Sequence, residues 1–282
     1  MRTQAAAIGA ALALTASGLS GCGGGSSVAY DPSTNSWTVE STAAPQRYSF
    51  AVAGIGNVLY QVGGNSLCCD EAYAVQAYDT STHAWSSKPN MRESRAEFGL
   101  ASINNQLYAV GGRHFYIDFH TGVPAIDVTA TMEAYDPATN AWTVKAPMPS
   151  PRYAQATGVV NGMLYVVGGV GGSANGPVLN TVEAYDPSTN TWTAKAPMPT
   201  ARRSMAAGVV NNVLYVVGGA DASGNALNTV EAYDPATNAW KTMPSMPTPR
   251  DSLAVAVSGN VLYALAGQSS DQALVTVEAF TP

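Results

Sequence analysis

Short apolar runs of about five residues alternate with turn residues along most of the chain, and no stretch carries a helical period of useful length. Residues 203–243 show the pattern well. Ser204–Val210 predicts a strand, and Asn211-Asn212 supplies the positive φ angles of a tight hairpin turn. Val213–Val217 is apolar at every position, as expected of a strand buried on both faces. Thr229–Tyr233 predicts a third strand. Asp234-Pro235-Ala236-Thr237 then has Asp first and Pro second, the preferred type I turn, and leads into a fourth strand around Trp240. The expectation is an all-β fold of four-stranded units.

The unit recurs. Trp stands at 37, 85, 142, 192 and 240, with spacings of 48, 57, 50 and 48. Leu-Tyr pairs precede a double glycine at Gly63-Gly64, Gly111-Gly112, Gly168-Gly169 and Gly218-Gly219, and Ala266-Gly267 takes that place in the fifth unit. A Val-Glu-Ala-Tyr-Asp-Pro phrase follows, clearest at 182–187 and 230–235, then Thr-Asn and the Trp. This pattern resembles the Kelch repeat and covers residues 28–282. The resemblance implies a β-propeller, its four-stranded blades (a to d) set radially around a channel. Tyr60, Tyr108, Tyr165, Tyr215 and the five Trp are expected to pack between blades, because a lone sheet with two apolar faces cannot bury both.

Complete a-b-c-d sets end at Trp85, Trp142, Trp192 and Trp240. After Trp240 only a (252–257), b (261–266) and c (275–280) remain. Before the first set, Ser36–Glu40 is a lone strand d. Pairing it with the C-terminal a-b-c closes a fifth blade and leaves no open edge. Val28–Tyr30 also reads as a strand c and competes for that place.

The N-terminus reads as an address. Arg2 precedes the ten apolar residues 5–14, a secretory hydrophobic region too short for the roughly 20 residues that span a membrane. Leu19-Ser20-Gly21-Cys22 resembles the bacterial lipobox, which implies removal of residues 1–21, acylation of Cys22, a Gly/Ser tether at 22–27 and the propeller at 28–282. The resemblance places the protein, exported and lipid-anchored, in a bacterial cell envelope.

Composition narrows the partners. Charged residues make up only 11%, with 13 Lys+Arg against 19 Asp+Glu and a net charge of −6. An acidic, Lys-poor chain lacks the basic footprint of a nucleic-acid binder, and the only membrane contact expected is the lipid. Of the three Cys, Cys68 and Cys69 remain beside Cys22. Their Cα atoms lie about 3.8 Å apart, below the roughly 4.4–6.8 Å usual for a disulfide. A vicinal bond there would be strained, and free thiols or bonds between chains are the alternatives.

Three features collect where the b–c loops and d–a connections emerge. An Arg opens each strand a: Arg47, Arg95, Arg152, Arg202 (or Arg203) and Arg250. These could ring the channel mouth as an anion site, or pair with Glu133, Glu183, Glu231 and Glu278, which recur with the same period. The second feature is the b–c loop of blade 2, which runs 23 residues from Gly112 to Tyr135 against 14 from Gly64 to Tyr78. Following Arg113, its residues 114–120 alternate His114, Tyr116, Asp118, His120 with Phe115, Ile117, Phe119, which predicts strand b continuing outward as a hairpin. The apolar face needs cover from the propeller or from a partner. Third, Cys68-Cys69-Asp70-Glu71 marks the b–c loop of blade 1. His114 and His120 are roughly 20 Å apart in a strand, so no metal site is expected, and no cofactor.

The binding candidates are therefore Arg113, Tyr116, Asp118, His120 and the Arg ring, taking a protein or glycan partner, with no catalytic residue assigned. Similar propellers include copper oxidases acting on galactose and sialic acid mutarotases. Three His, with His83 on the opposite face, suit the oxidase poorly. A mutarotase needs one acid and one base near a sugar, and a sugar isomerase is the alternative to a binding module.

Overall fold

A computed structural model describes the strands at residues 11–15, 25–31 and 36–44, and then residues 47–65, 72–117, 122–270 and 272–282. Cys22, Cys68, Cys69, Asp118 and His120 lie outside the described residues.

The chain is an all-β propeller of five blades. Blade 1 runs Ala51–Ile55, Val58–Val62, Val75–Asp79 and Ala84–Lys88 as strands a to d. Blade 2 is Gly99–Ile103, Gln106–Val110, Met132–Asp136 and Ala141–Lys145. Blade 3 is Ala156–Val160, Met163–Val167, Val182–Asp186 and Thr191–Lys195. Blade 4 is Ala206–Val210, Val213–Val217, Val230–Asp234 and Ala239–Met243. Blade 5 has Ala254–Ser258, Val261–Leu265 and Val277–Phe280. Successive a strands lie side by side around the centre.

Local chemistry sets each unit. Asn104-Asn105 and Asn211-Asn212 turn a into b with φ of 50–62°. In the c–d turn, Asp186 Oδ1 accepts the Ser188 amide at 2.8 Å, and Asp234 Oδ1 the Ala236 amide at 2.9 Å. Tyr185 and Tyr233 then donate their hydroxyls to Asn190 and Asn238, both at 2.7 Å. In blade 1, His83 takes the place of that Asn beside Tyr78.

The core lies between blades. The strand b Tyr of blades 1 to 4 meets the ring on strand c of the next blade: Tyr60–Tyr135, Tyr108–Tyr185 and Tyr165–Tyr233 at 5.7–5.9 Å, and Tyr215–Phe280 at 6.0 Å. The strand d indoles of blades 2 to 4 reach back a blade, Trp142 to the Pro89 carbonyl, Trp192 to Ala146 and Trp240 to Ala196. A buried indole needs such an acceptor for its N–H.

One pairing differs from expectation. Ser36–Ala44 does not lie on Val277–Phe280. It pairs with Gly25–Asp31, Tyr30 opposite Trp37, in the register used by Tyr78–Trp85 and its equivalents. The competing c phrase wins because only four residues separate it from strand d, whereas the C-terminal one is more than 200 residues away and pays a larger loop-closure entropy. Ala11–Thr15 pairs with the far edge of Gly25–Asp31, and the three form a separate sheet. That sheet runs beside Ala254–Ser258 at one edge and Ala84–Lys88 at the other, between the last blade and the first.

Candidate functional site

The five Arg at the starts of strands a are buried. Arg95 Nη1 donates to the Gly111 and Thr131 carbonyls at 3.0 and 3.1 Å, and Nη2 meets Glu133 at 2.8 Å. Arg202 repeats this on Gly218, Thr229 and Glu231, and Arg152 and Arg250 on their own blades. Arg47 donates to Gly63 and Ala74, and Gln76 stands where the other blades have Glu. The guanidinium groups thus tie the end of strand b to the start of strand c. Of the two readings open for them, pairing with the strand c carboxylates is the one this geometry realises. Burial outweighs the pull of Glu231 and lowers the Arg202 pKa to about 10. The ring therefore presents no exposed cationic face at the mouth.

Two residues after each of these Arg, the backbone turns left-handed at Ser49, Glu97, Ala154, Ser204 and Ser252, with φ of 52–55°. Those residues are joined in a chain of backbone hydrogen bonds, each amide donating to a carbonyl: Glu97 to Ser49, Ala154 to Glu97, Ser204 to Ala154 and Ser252 to Ser204, at 2.8–3.0 Å. This backbone rim runs along the mouth from blade 1 to blade 5. Its one carboxylate is Glu97.

Glu97 forms a close ion pair with Arg113, the first residue after the double glycine of blade 2. The Arg113 guanidinium also lies 4.5 Å over the Tyr153 ring and 5.0 Å over Phe115. Tyr153 belongs to blade 3 and is fixed by its hydroxyl on the Ala174 carbonyl at 2.6 Å. From Arg113 the chain runs out as Arg113–Ile117, antiparallel to Pro124–Val128; the expected hairpin forms, but as a two-stranded sheet of its own, separated from strand b by the left-handed Gly111-Gly112 pair. One face of the outgoing strand carries Arg113 and Phe115 towards blade 3. The other stacks His114 on Tyr116 at 5.2 Å, with His114 Nε2 3.9 Å from Asp127. Phe115 is 45% exposed and Tyr116 38%.

The structure thus brings Arg113 and Tyr116 onto one projecting hairpin and withdraws the Arg ring into the scaffold. Sequence reasoning missed Glu97, Tyr153 and Asp127. A signal for the first was present: Glu97 stands in register with Ser49, Ala154, Ser204 and Ser252, and only it is charged.

A family model described as the KLHDC2/KLHL20/DRC7 Kelch-repeats domain matches residues 20–198, and the Kelch motif matches residues 201–247. The chain belongs to the Kelch-repeat family. Among curated proteins none matches it. Kelch propellers typically serve as protein-interaction modules. In this Kelch propeller the five inner strands offer only apolar, Ser, Thr and Gly side chains, with no acid or base among them. Among the described residues no three His, Cys, Asp or Glu are grouped to hold an ion.

Proposed function

We propose that this Kelch propeller is a protein-binding module whose working surface is the b–c/d–a face at blades 1 and 2, centred on the Arg113–Ile117 hairpin. The observation that carries the reading is the departure from repeat symmetry there. A rigid rim bears one ion pair, Arg113–Glu97, and a hairpin that holds Phe115 and Tyr116 out to solvent. Aromatic residues and Arg are the groups that dominate protein interfaces. Asp118 and His120 belong to the same loop in sequence. A glycan is the second reading, favoured by the stacked His114–Tyr116 pair beside the Asp127 carboxylate. A mutarotase requires an acid and a base near a sugar, and its candidates Asp118 and His120 lie outside the described residues.

The test is a pull-down from envelope extracts in parallel with a glycan array, using the mature chain and its Phe115→Ala, Tyr116→Ala double variant. The variant is expected to bind at least tenfold more weakly, about 1.4 kcal/mol, with an unchanged Tm. Full affinity would move the site elsewhere on the propeller, and capture only on the array would transfer the reading to glycans.

The lipobox at Leu19–Cys22 further supports an exported module held to a bacterial membrane by acylated Cys22. Cys22→Ser is expected to leave the membrane fraction, and unchanged partitioning would remove the anchor from this reading.

A further inference from the structure

Three junctions between blades are filled in one way. The strand d Trp lies against its cross-strand Tyr, 5.3 Å for Tyr135–Trp142, 5.2 Å for Tyr185–Trp192 and 5.1 Å for Tyr233–Trp240. Its indole N–H reaches the preceding blade at the carbonyl of Pro89, Ala146 or Ala196. The next carbonyl in that series belongs to Pro244. There, a small cleft of about 70 Å³, open to solvent, is walled by Pro244, Met246, Val217 and Val230 on one side and Leu262 and Phe280 on the other.

Strand c of blade 5 has no strand d beside it among the described residues. Its Val277 is 37% exposed, whereas the equivalent Val182 and Val230 are 1–2% exposed. Ser36–Ala44, a described strand that also carries the Trp signature, is bonded to Gly25–Asp31. An unpaired strand edge next to an apolar socket is the arrangement that accepts an added strand.

We propose that the outer edge of blade 5 accepts an extended segment of a partner protein that carries a tryptophan. The segment adds antiparallel to Val277–Phe280, with its Trp opposite Phe280 and its indole N–H on the Pro244 carbonyl. The surface continues, one blade on, the three Trp-filled junctions within the chain, which defines the chemistry of its occupant. It lies on the flank of the propeller and stands apart from the hairpin on the loop face.

The probe is a synthetic peptide copying residues 136–147, Asp-Pro-Ala-Thr-Asn-Ala-Trp-Thr-Val-Lys-Ala-Pro, titrated calorimetrically into the purified chain. Saturable one-to-one binding is expected. It should weaken at least tenfold when the peptide Trp is replaced by Ala, and equally when Phe280→Ala is made in a protein whose Tm is checked. No binding, or equal binding of the Trp and Ala peptides, overturns the proposal. Binding seen only after Trp37→Ala also overturns it, by assigning the edge to the chain's own strand. Self-association that excludes the peptide overturns it in favour of a second copy.

Discussion

A guanidinium taken out of water costs several kcal/mol unless a carboxylate and further acceptors meet it. Arg202 has both, with two carbonyls on Nη1 and Glu231 on Nη2, while Thr200 donates to the same carboxylate at 2.8 Å. One buried pair thus fixes the end of strand b, the start of strand c and the d–a connection together. Removing only the carboxylate leaves the charge stranded. Glu231→Ala is expected to cost about 3–5 kcal/mol, read as a lower urea midpoint with an unchanged slope. A loss under about 1 kcal/mol would mean that the carbonyls alone suffice.

At the scale of the strand and its turn, the double glycine shows why the repeat is written as it is. A Cβ on Gly63, Gly111, Gly168 or Gly218 would stand 2.4–2.7 Å from the carbonyl of the next blade's Arg. The backbone there is also left-handed, with φ of 61–63°. Gly168→Ala is therefore expected to lose at least about 1–3 kcal/mol in chemical denaturation. In the fifth unit Ala266 occupies the same left-handed turn, φ 55°, at the one blade with no complete neighbour pressed against that point. Ala266→Gly should change stability by no more than about 1 kcal/mol. A gain at Ala266→Gly as large as the loss at Gly168→Ala would show that conformation, rather than the neighbouring carbonyl, sets the requirement.

Across the whole molecule, what could be read from the sequence was what repeats. Five Trp and four double glycines specify blades, and the strand bounds of blade 4 agree with the pattern to within two residues. The pairing of Ser36–Ala44 was harder to read, because two c phrases, Gly25–Asp31 and Val277–Phe280, offer the same register and only chain connectivity ranks them. Ala266 carried a hint, since a residue with a Cβ at that place speaks against a tightly packed following blade. The loop-face site was half legible. The length and alternation of the blade 2 loop pointed to the hairpin, but contacts such as Arg113 over Tyr153 join residues 40 positions apart and have no local signature.

The chain of backbone hydrogen bonds through Ser49, Glu97, Ala154, Ser204 and Ser252 uses no side-chain atom. A surface built this way separates what is said from what holds it up. The five side chains can drift through substitution while the frame keeps them at fixed stations, each about one blade apart. Glu97 is one word already changed in a line otherwise of Ser and Ala. An engineer, or natural variation, has four more positions at which to rewrite the specificity of the mouth without redesigning the wheel beneath it.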